Sequence, residues 1–171
     1  NAFFSLIKFL FTKADIFLCQ GSKWENFAVN QLKINEKKVK IISNWSATTN
    51  LLRVGEFRVH QKNKTPLKLL FVGWLEKEKG VMEIIRTFNN LSKKEYPIHL
   101  TLIGDGRIKK KAIKYVERNS LSKQVVFKGW MESDKIIDYY KNSDIFLLPS
   151  WQEGMPNALI EALACKLATV T

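Results

Sequence analysis

Asp144-Ile-Phe-Leu-Leu-Pro149-Ser150-Trp-Gln-Glu153-Gly154-Met155-Pro156-Asn157-Ala158-Leu159-Ile-Glu161 is the stretch whose reading decides the fold. A short apolar run ends at Pro149 and reads as a strand. A turn at Gly154 follows, and Pro156 suits the first turn of a helix that carries Asn157 and Glu161. Strand, loop and helix in that order form the unit of a parallel sheet, where ligands bind beyond the carboxyl ends of the strands. Glu153 falls at such an end. Glu161 lies one turn above Asn157, and helical side chains lean toward the N-terminus, so its carboxylate is expected to aim back at the same place. The helix start adds unpaired N–H groups and a partial positive charge, which suit a phosphate oxygen or a sugar hydroxyl held by the backbone from Gly154 to Asn157. Each carboxylate oxygen accepts its own hydrogen bond, a good match for the paired hydroxyls of a ribose or hexose. The stretch therefore reads as a nucleotide-sugar site.

The same alternation continues outward. Apolar runs near 67–72, 98–103, 124–128 and 144–148 are separated by helical patterns near 80–92, 107–120, 133–142 and 156–165. Each run is continuous in Leu, Val, Ile and Phe rather than alternating, as expected of strands covered on both faces. The fold class is α/β, a Rossmann-like doubly wound parallel sheet. A 46% apolar content supports a real core, and 171 residues allow one to two domains. Upstream, a helix over Phe3 to Lys13, a strand Asp15 to Cys19, a helix from Ser22 and a strand Val39 to Ile42 are expected, with Ser22-Lys-Trp-Glu25 in capping-box spacing. The polar stretch 43–65 reads as an irregular link. The division is thus 1–42, the link 43–65, and a domain over 66–171.

The chain carries 28 Lys and Arg against 16 Asp and Glu, a net charge of +12. Such a balance favours anionic partners: a nucleoside diphosphate, a lipid pyrophosphate or an anionic membrane surface. Nucleic acid is not expected, because zinc-finger spacing and RNA-recognition aromatics are absent. Lys109, Lys110 and Lys111 lie on an expected helix and read as surface. Phe3 to Phe11 is too short to span a bilayer and is interrupted by Lys8. Its apolar stripe reads first as a core-packing helix, with peripheral attachment to an anionic membrane as the alternative. Cys19 and Cys165 sit in separate apolar segments and read as buried thiols of a reducing cytoplasm. His60 and His99 lack ligand-spaced partners, so no metal is expected, and no cofactor either. Lys79 precedes Gly80 at an expected helix start, where a cation beside free N–H groups suits a diphosphate; the plain alternative is a surface lysine. Gly104, Asp105 and Gly106 read as the turn after a central strand.

At these residues the chain resembles the donor domain of retaining glycosyltransferases of family 4, whose signature is Glu, seven residues, Glu after a Pro-Ser strand end. Leu70-Phe-Val-Gly73-Trp-Leu-Glu-Lys-Glu-Lys79-Gly80 is similar to that family's "VGRLxxxKG" segment, and Leu102-Ile-Gly104-Asp105-Gly106 to its "xxGxG" strand end. Val126-Phe-Lys-Gly129 and Ser143 to Ser150 complete the approach to the glutamates, so the likeness runs from about Lys68 to Thr171. It implies the donor half of a GT-B two-domain fold, with the tail of an acceptor domain over 1–42 and both ends of the protein missing. The implied reaction is metal-independent transfer of a sugar from a nucleoside-diphosphate sugar to a carbohydrate or lipid-linked acceptor hydroxyl with retention, in bacterial surface polysaccharide or lipopolysaccharide synthesis. The implied place is the cytoplasm, at the inner face of the membrane.

The resemblance also assigns roles. Glu153 contacts the transferred sugar and Lys79 the diphosphate, the two catalytic candidates; Glu161 contacts the ribose. Donor-binding candidates are Gly73, Trp74, Gly154, Met155, Pro156, Asn157, Ala158, Leu159 and Glu161. Trp74 stands where the family carries a phosphate-binding Arg, and its ring or N–H could instead face the acceptor or one phosphate oxygen. Trp45, after Asn44, departs from an Asn-Gly at the family's domain crossover. The isolated 171 residues are expected to bind donor weakly and to show no turnover. Alternatives are a related two-Rossmann enzyme that epimerises or phosphorylates sugars, a non-catalytic nucleotide-sugar-binding subunit that lost its clamp at Trp74, and a basic membrane-peripheral module.

Overall fold

A computed structural model of the chain describes residues 2–42, 46–60, 65–154 and 156–171. They form two compact units, Asn1–Trp45 and Ser46–Thr171.

The first unit contains helix α1 (Ala2–Thr12), strand β1 (Phe17–Cys19), helix α2 (Ser22–Asn30), a 3-10 turn at Glu36–Lys38 and strand β2 (Val39–Ile41). β1 and β2 pair in parallel, with Phe17 opposite Val39. Cys19, Ala28, Leu32, Ile34 and Val39 form a small core of their own. The capping-box expectation fails by one residue. Gly21 is the N-cap of α2, and its carbonyl accepts from Trp24 and Glu25 N–H at 3.1 Å each, while no side chain caps the helix. Gly21 adopts φ of +135°, a conformation Ser22 would resist, so the chain turns into the helix one residue early and the backbone does the capping.

The second unit begins with helix α3 (Thr49–Glu56), followed by β3 (Leu67–Val72), α4 (Val81–Ser92), β4 (Ile98–Ile103), α5 (Lys109–Arg118), β5 (Val125–Gly129), α6 (Ser133–Asn142), β6 (Ile145–Leu147), α7 (Asn157–Ala164) and β7 (Ala168–Val170). All five strands run parallel in the order β5-β4-β3-β6-β7. Leu70, Phe71, Leu100, Leu102 and Ile103 are buried along the two longest strands, each side chain contributing about 1.5–3 kcal/mol. On α4, Val81, Ile84, Ile85 and Phe88 recur at helical spacing and are buried, and on α6 Ile136 and Tyr140 do the same.

α3 lies inside the stretch expected to be an irregular link. Thr48 Oγ1 accepts from Leu51 N–H at 3.4 Å to open the helix, and Leu51 joins the core of the second unit. Gly55 is pressed against α7: an added Cβ would lie 2.1 Å from Ala164 O. Eight residues with a glycine and an asparagine carry little helical signal, and α3 is helical because it packs. Asn44 and Trp45, with the rest of 43–45 and 61–64, lie outside the described residues.

The strand order places the switch point. From β3 the chain steps outward through β4 to β5, then crosses back to β6 on the other flank of β3. The loops leaving β3 and β6 therefore diverge from neighbouring strand ends, the crevice where open α/β sheets hold ligands.

Candidate functional site

Three contacts join the two loops at the switch point. Gly80 adopts φ of +68°, and an added Cβ there would lie 2.3 Å from Pro149 O, so only glycine allows the approach. Trp151 N–H donates to Glu78 O at 2.9 Å. Lys79 Nζ then donates to Glu153 Oε1 at 2.7 Å. The two side chains are 27% and 22% exposed, sheltered but open to a ligand. Both catalytic candidates thus meet.

Glu161, half-buried on α7, makes a different contact. Its Oε2 accepts from the hydroxyl of buried Tyr140 at 2.8 Å. Burial pushes the Glu161 carboxyl above the usual range, and the Tyr140 hydrogen bond pulls it partly back. The Tyr140 hydroxyl is itself pushed far up, first by burial and then by the neighbouring carboxylate. The helix around Glu161 is less enclosed than its apolar sequence implies: Ala162 is buried, but Leu163 is 54% exposed. α7 packs chiefly against α3 and β7, and part of this short helix stays open.

The remaining donor-binding candidates divide. Pro156 is the N-cap of α7 rather than part of its first turn, and its carbonyl accepts from Leu159 N–H at 3.1 Å; no side chain caps the helix. Gly154 and Asn157 are exposed, Ala158 and Leu159 half-buried. Met155 lies outside the described residues. Gly73 and Trp74 border a cleft of about 180 Å³ at the carboxyl ends of β3 and β4, with Gly104, Asp105, Trp130 and Met131. Gly104 is another enforced glycine, since a Cβ would lie 1.9 Å from Gly73 O. Trp74 is 63% exposed and Trp130 68%.

Charged groups frame this edge. Lys109 Nζ donates to Asp105 Oδ2 at 2.6 Å, and with the Gly106 N–H it holds the Asp105 carboxyl below the usual range. Arg107 donates to Glu76 through its backbone N–H at 3.1 Å and its Nε at 2.7 Å, which lowers the Glu76 carboxyl likewise. A larger cavity of about 610 Å³ opens at the amino ends of β3 and β6, lined by Arg53, Arg58, His60 and Lys141. It lies at the edge opposite to where parallel sheets bind ligands, so the functional argument rests on the carboxyl-end edge, where the Lys79–Glu153 pair and the smaller cleft are found.

Sequence reasoning missed three participants. Tyr140 lies 21 positions before Glu161, and its burial phase with Ile136 was the available signal. Trp130 follows the Gly129 that ends β5, a place where ligand-facing residues gather. Ser150 Oγ is buried without a hydrogen-bond partner among the described residues. No group of three or more His, Cys, Asp or Glu among the described residues could hold a metal ion.

The family model of glycosyl transferases group 1 matches residues 55–171. An uncharacterized glycosyltransferase of Methanocaldococcus jannaschii is 31% identical over 95% of this chain and 42% of its own length. The Campylobacter jejuni N-acetylgalactosamine-N,N'-diacetylbacillosaminyl-diphospho-undecaprenol 4-alpha-N-acetylgalactosaminyltransferase is 27% identical over 96% of this chain and 43% of its own. Among solved structures, Anabaena HepE in complex with UDP and glucose superposes with a TM-score of 0.70 at 16% identity, covering 97% of this chain and 47% of that one. The chain therefore spans about two fifths of the curated relatives' length.

Proposed function

Because the chain belongs to the glycosyl transferases group 1 family, with the GT-B fold of its structural neighbours, we propose that it carries the donor-binding half of a retaining glycosyltransferase. The reaction moves a sugar from a nucleoside-diphosphate sugar to an acceptor hydroxyl. The observation that carries this reading is the Lys79–Glu153 pair at the sheet's switch point. Without ligand the two charges satisfy each other. A bound diphosphate draws the Lys79 ammonium to itself, which frees the Glu153 carboxylate for the hydroxyls of the transferred sugar. Lys79 then opposes the negative charge that grows on the leaving diphosphate as the glycosidic bond breaks. The uncapped start of α7 adds N–H groups and positive potential at the same edge. Glu161 receives the ribose hydroxyls. Trp74 supplies an apolar face where an arginine would clamp phosphate, which leaves Lys79 as the principal cation for the donor.

The acceptor is a carbohydrate or lipid-linked glycan, as the diphospho-undecaprenol in the Campylobacter relative's name suggests, and the setting is bacterial surface polysaccharide or lipopolysaccharide synthesis. The proposed setting is the cytoplasmic face of the membrane, reached peripherally. Among the described residues no helix is long and apolar enough to cross a bilayer. The exposed apolar residues Phe4, Leu6, Phe9, Leu10 and Phe11 on α1, near Lys8 and Lys13, favour such contact.

The test is UDP and GDP binding to the intact protein, followed by turnover with the matching nucleotide sugars. Lys79→Ala is expected to weaken nucleotide-diphosphate binding roughly tenfold, as for a lost charge-assisted bond. Glu153→Gln should leave diphosphate affinity unchanged or slightly tighter while abolishing most transfer. Nuclear magnetic resonance of the product should show retention at the anomeric carbon. A protein that binds neither nucleotide, or an inverted product, overturns the reading.

A further inference from the structure

We propose that Tyr140 is a positioning residue for the nucleotide: its hydroxyl holds Glu161 Oε2 so that the other carboxylate oxygen is presented to the ligand's vicinal diol. This rests on Glu161 receiving the ribose. Tyr140 is 1% exposed, and its ring packs against Phe146 with centroids 6.0 Å apart, so the phenol is fixed. Its hydroxyl lies 2.8 Å from Glu161 Oε2 and 3.3 Å from Ala158 O. A hydroxyl has one proton to give, and the shorter contact, to the charged acceptor, takes it. Among the described residues Glu161 Oε1 has no hydrogen-bond partner, and the residue is only half-buried. One oxygen is thus tethered from α6 and the other left open.

A carboxylate on a helix ordinarily samples several rotamers. Fixing one oxygen removes that freedom before a ligand arrives, so less entropy is lost on binding. The tether also acts on charge. Burial favours the neutral acid, which binds a diol less well than the carboxylate, and the Tyr140 hydrogen bond favours the ionised form. The other groups facing this carboxylate do little to replace it. At the C-cap of α7, Cys165 is a thiol pushed up to about 11 by burial. The Arg58 guanidinium, beyond α3, is occupied by the carbonyls of Tyr140, Ser143 and Cys165. Arg53 and Glu56 of α3 and Asp138 and Lys141 of α6 are solvent-exposed or half so, and β7 contributes no charged residue.

The experiment follows UDP affinity against pH by calorimetry in the intact protein, for wild type, Tyr140→Phe, Glu161→Ala, Glu161→Gln and the Tyr140→Phe/Glu161→Gln double variant. Tyr140→Phe keeps the ring and removes the tether. UDP affinity is expected to fall roughly tenfold at pH 8, and the loss of binding with falling pH to begin at higher pH, because Glu161 now protonates more readily. With Gln at 161 the pH step should vanish and Tyr140→Phe should cost far less. Replacing Tyr140 with 3-fluorotyrosine, a stronger donor, should move the step to lower pH while preserving the packing. If Tyr140→Phe leaves both affinity and pH step unchanged while Glu161→Ala weakens binding, the positioning role is wrong and Tyr140 only packs. A uniform loss at all pH values without movement of the step likewise overturns it. If UDP binds but Glu161→Ala is silent, the ribose assignment has failed and Tyr140 falls with it.

Discussion

Lys79 and Glu153 meet at 2.7 Å although 74 positions separate them. With both side chains partly exposed, the pair contributes about 1 kcal/mol or less to folding, so its placement is better explained by what it does to a ligand than by stability. Glu161 shows the opposite balance. Its carboxyl is raised by burial, so the ionised form is disfavoured in the folded protein relative to the unfolded chain. The cost is present when the pH is above the raised value and disappears as the pH falls through that value into the ordinary carboxylate range. Glu161→Gln should therefore unfold at higher urea than wild type at pH 8, with the difference closing toward pH 4 in paired denaturation curves. A gain that persists at pH 4 would mean that the amide helps by packing instead. A residue kept at a cost to stability is what a binding site is expected to contain.

Arg58 governs how two helices end. Its guanidinium donates to Cys165 O at the end of α7 and to Tyr140 O, Lys141 O and Ser143 O at the end of α6. Those carbonyls are orphaned by helix geometry, and a planar fork reaches several together. A lysine presents a single point charge. Arg58→Lys should cost roughly 2 kcal/mol in urea unfolding and should also weaken UDP binding, because α6 and α7 hold Tyr140 and Glu161 in register. The strands and helices from Leu67 to Ala164 were legible almost to the residue, since each is a continuous apolar run or a helical stripe bounded by Gly, Pro or a polar cluster. α3 was not, because its few apolar residues are read correctly only once α7 is beside them, and Gly55 looks like a loop residue until Ala164 O is seen against it. Ser22 was misread for a related reason: spacing suggests a cap, but the φ of Gly21 decides where the helix begins.

The net charge of +12 acts over the whole chain and favours anionic ligands without choosing among them. Raising sodium chloride from about 50 mM to about 500 mM should weaken UDP binding several-fold, as the screening length shortens from over 10 Å to about 4 Å. A salt-independent affinity would assign the attraction to Lys79 and its immediate neighbours alone. The sequence by itself determined the alternation of strand and helix, the two-sided burial of the sheet, and the presence of two glutamates, a lysine and several glycines near strand ends. Those are local properties, written in hydrophobic period and in the backbone freedom of a few residues. Only the tertiary structure decided that the strand order is β5-β4-β3-β6-β7, that Lys79 therefore faces Glu153, and that Tyr140 takes hold of Glu161. Which loops become neighbours depends on where each crossover returns to the sheet, and which side chains touch depends on how the helices pack, and neither is carried by any short window of sequence.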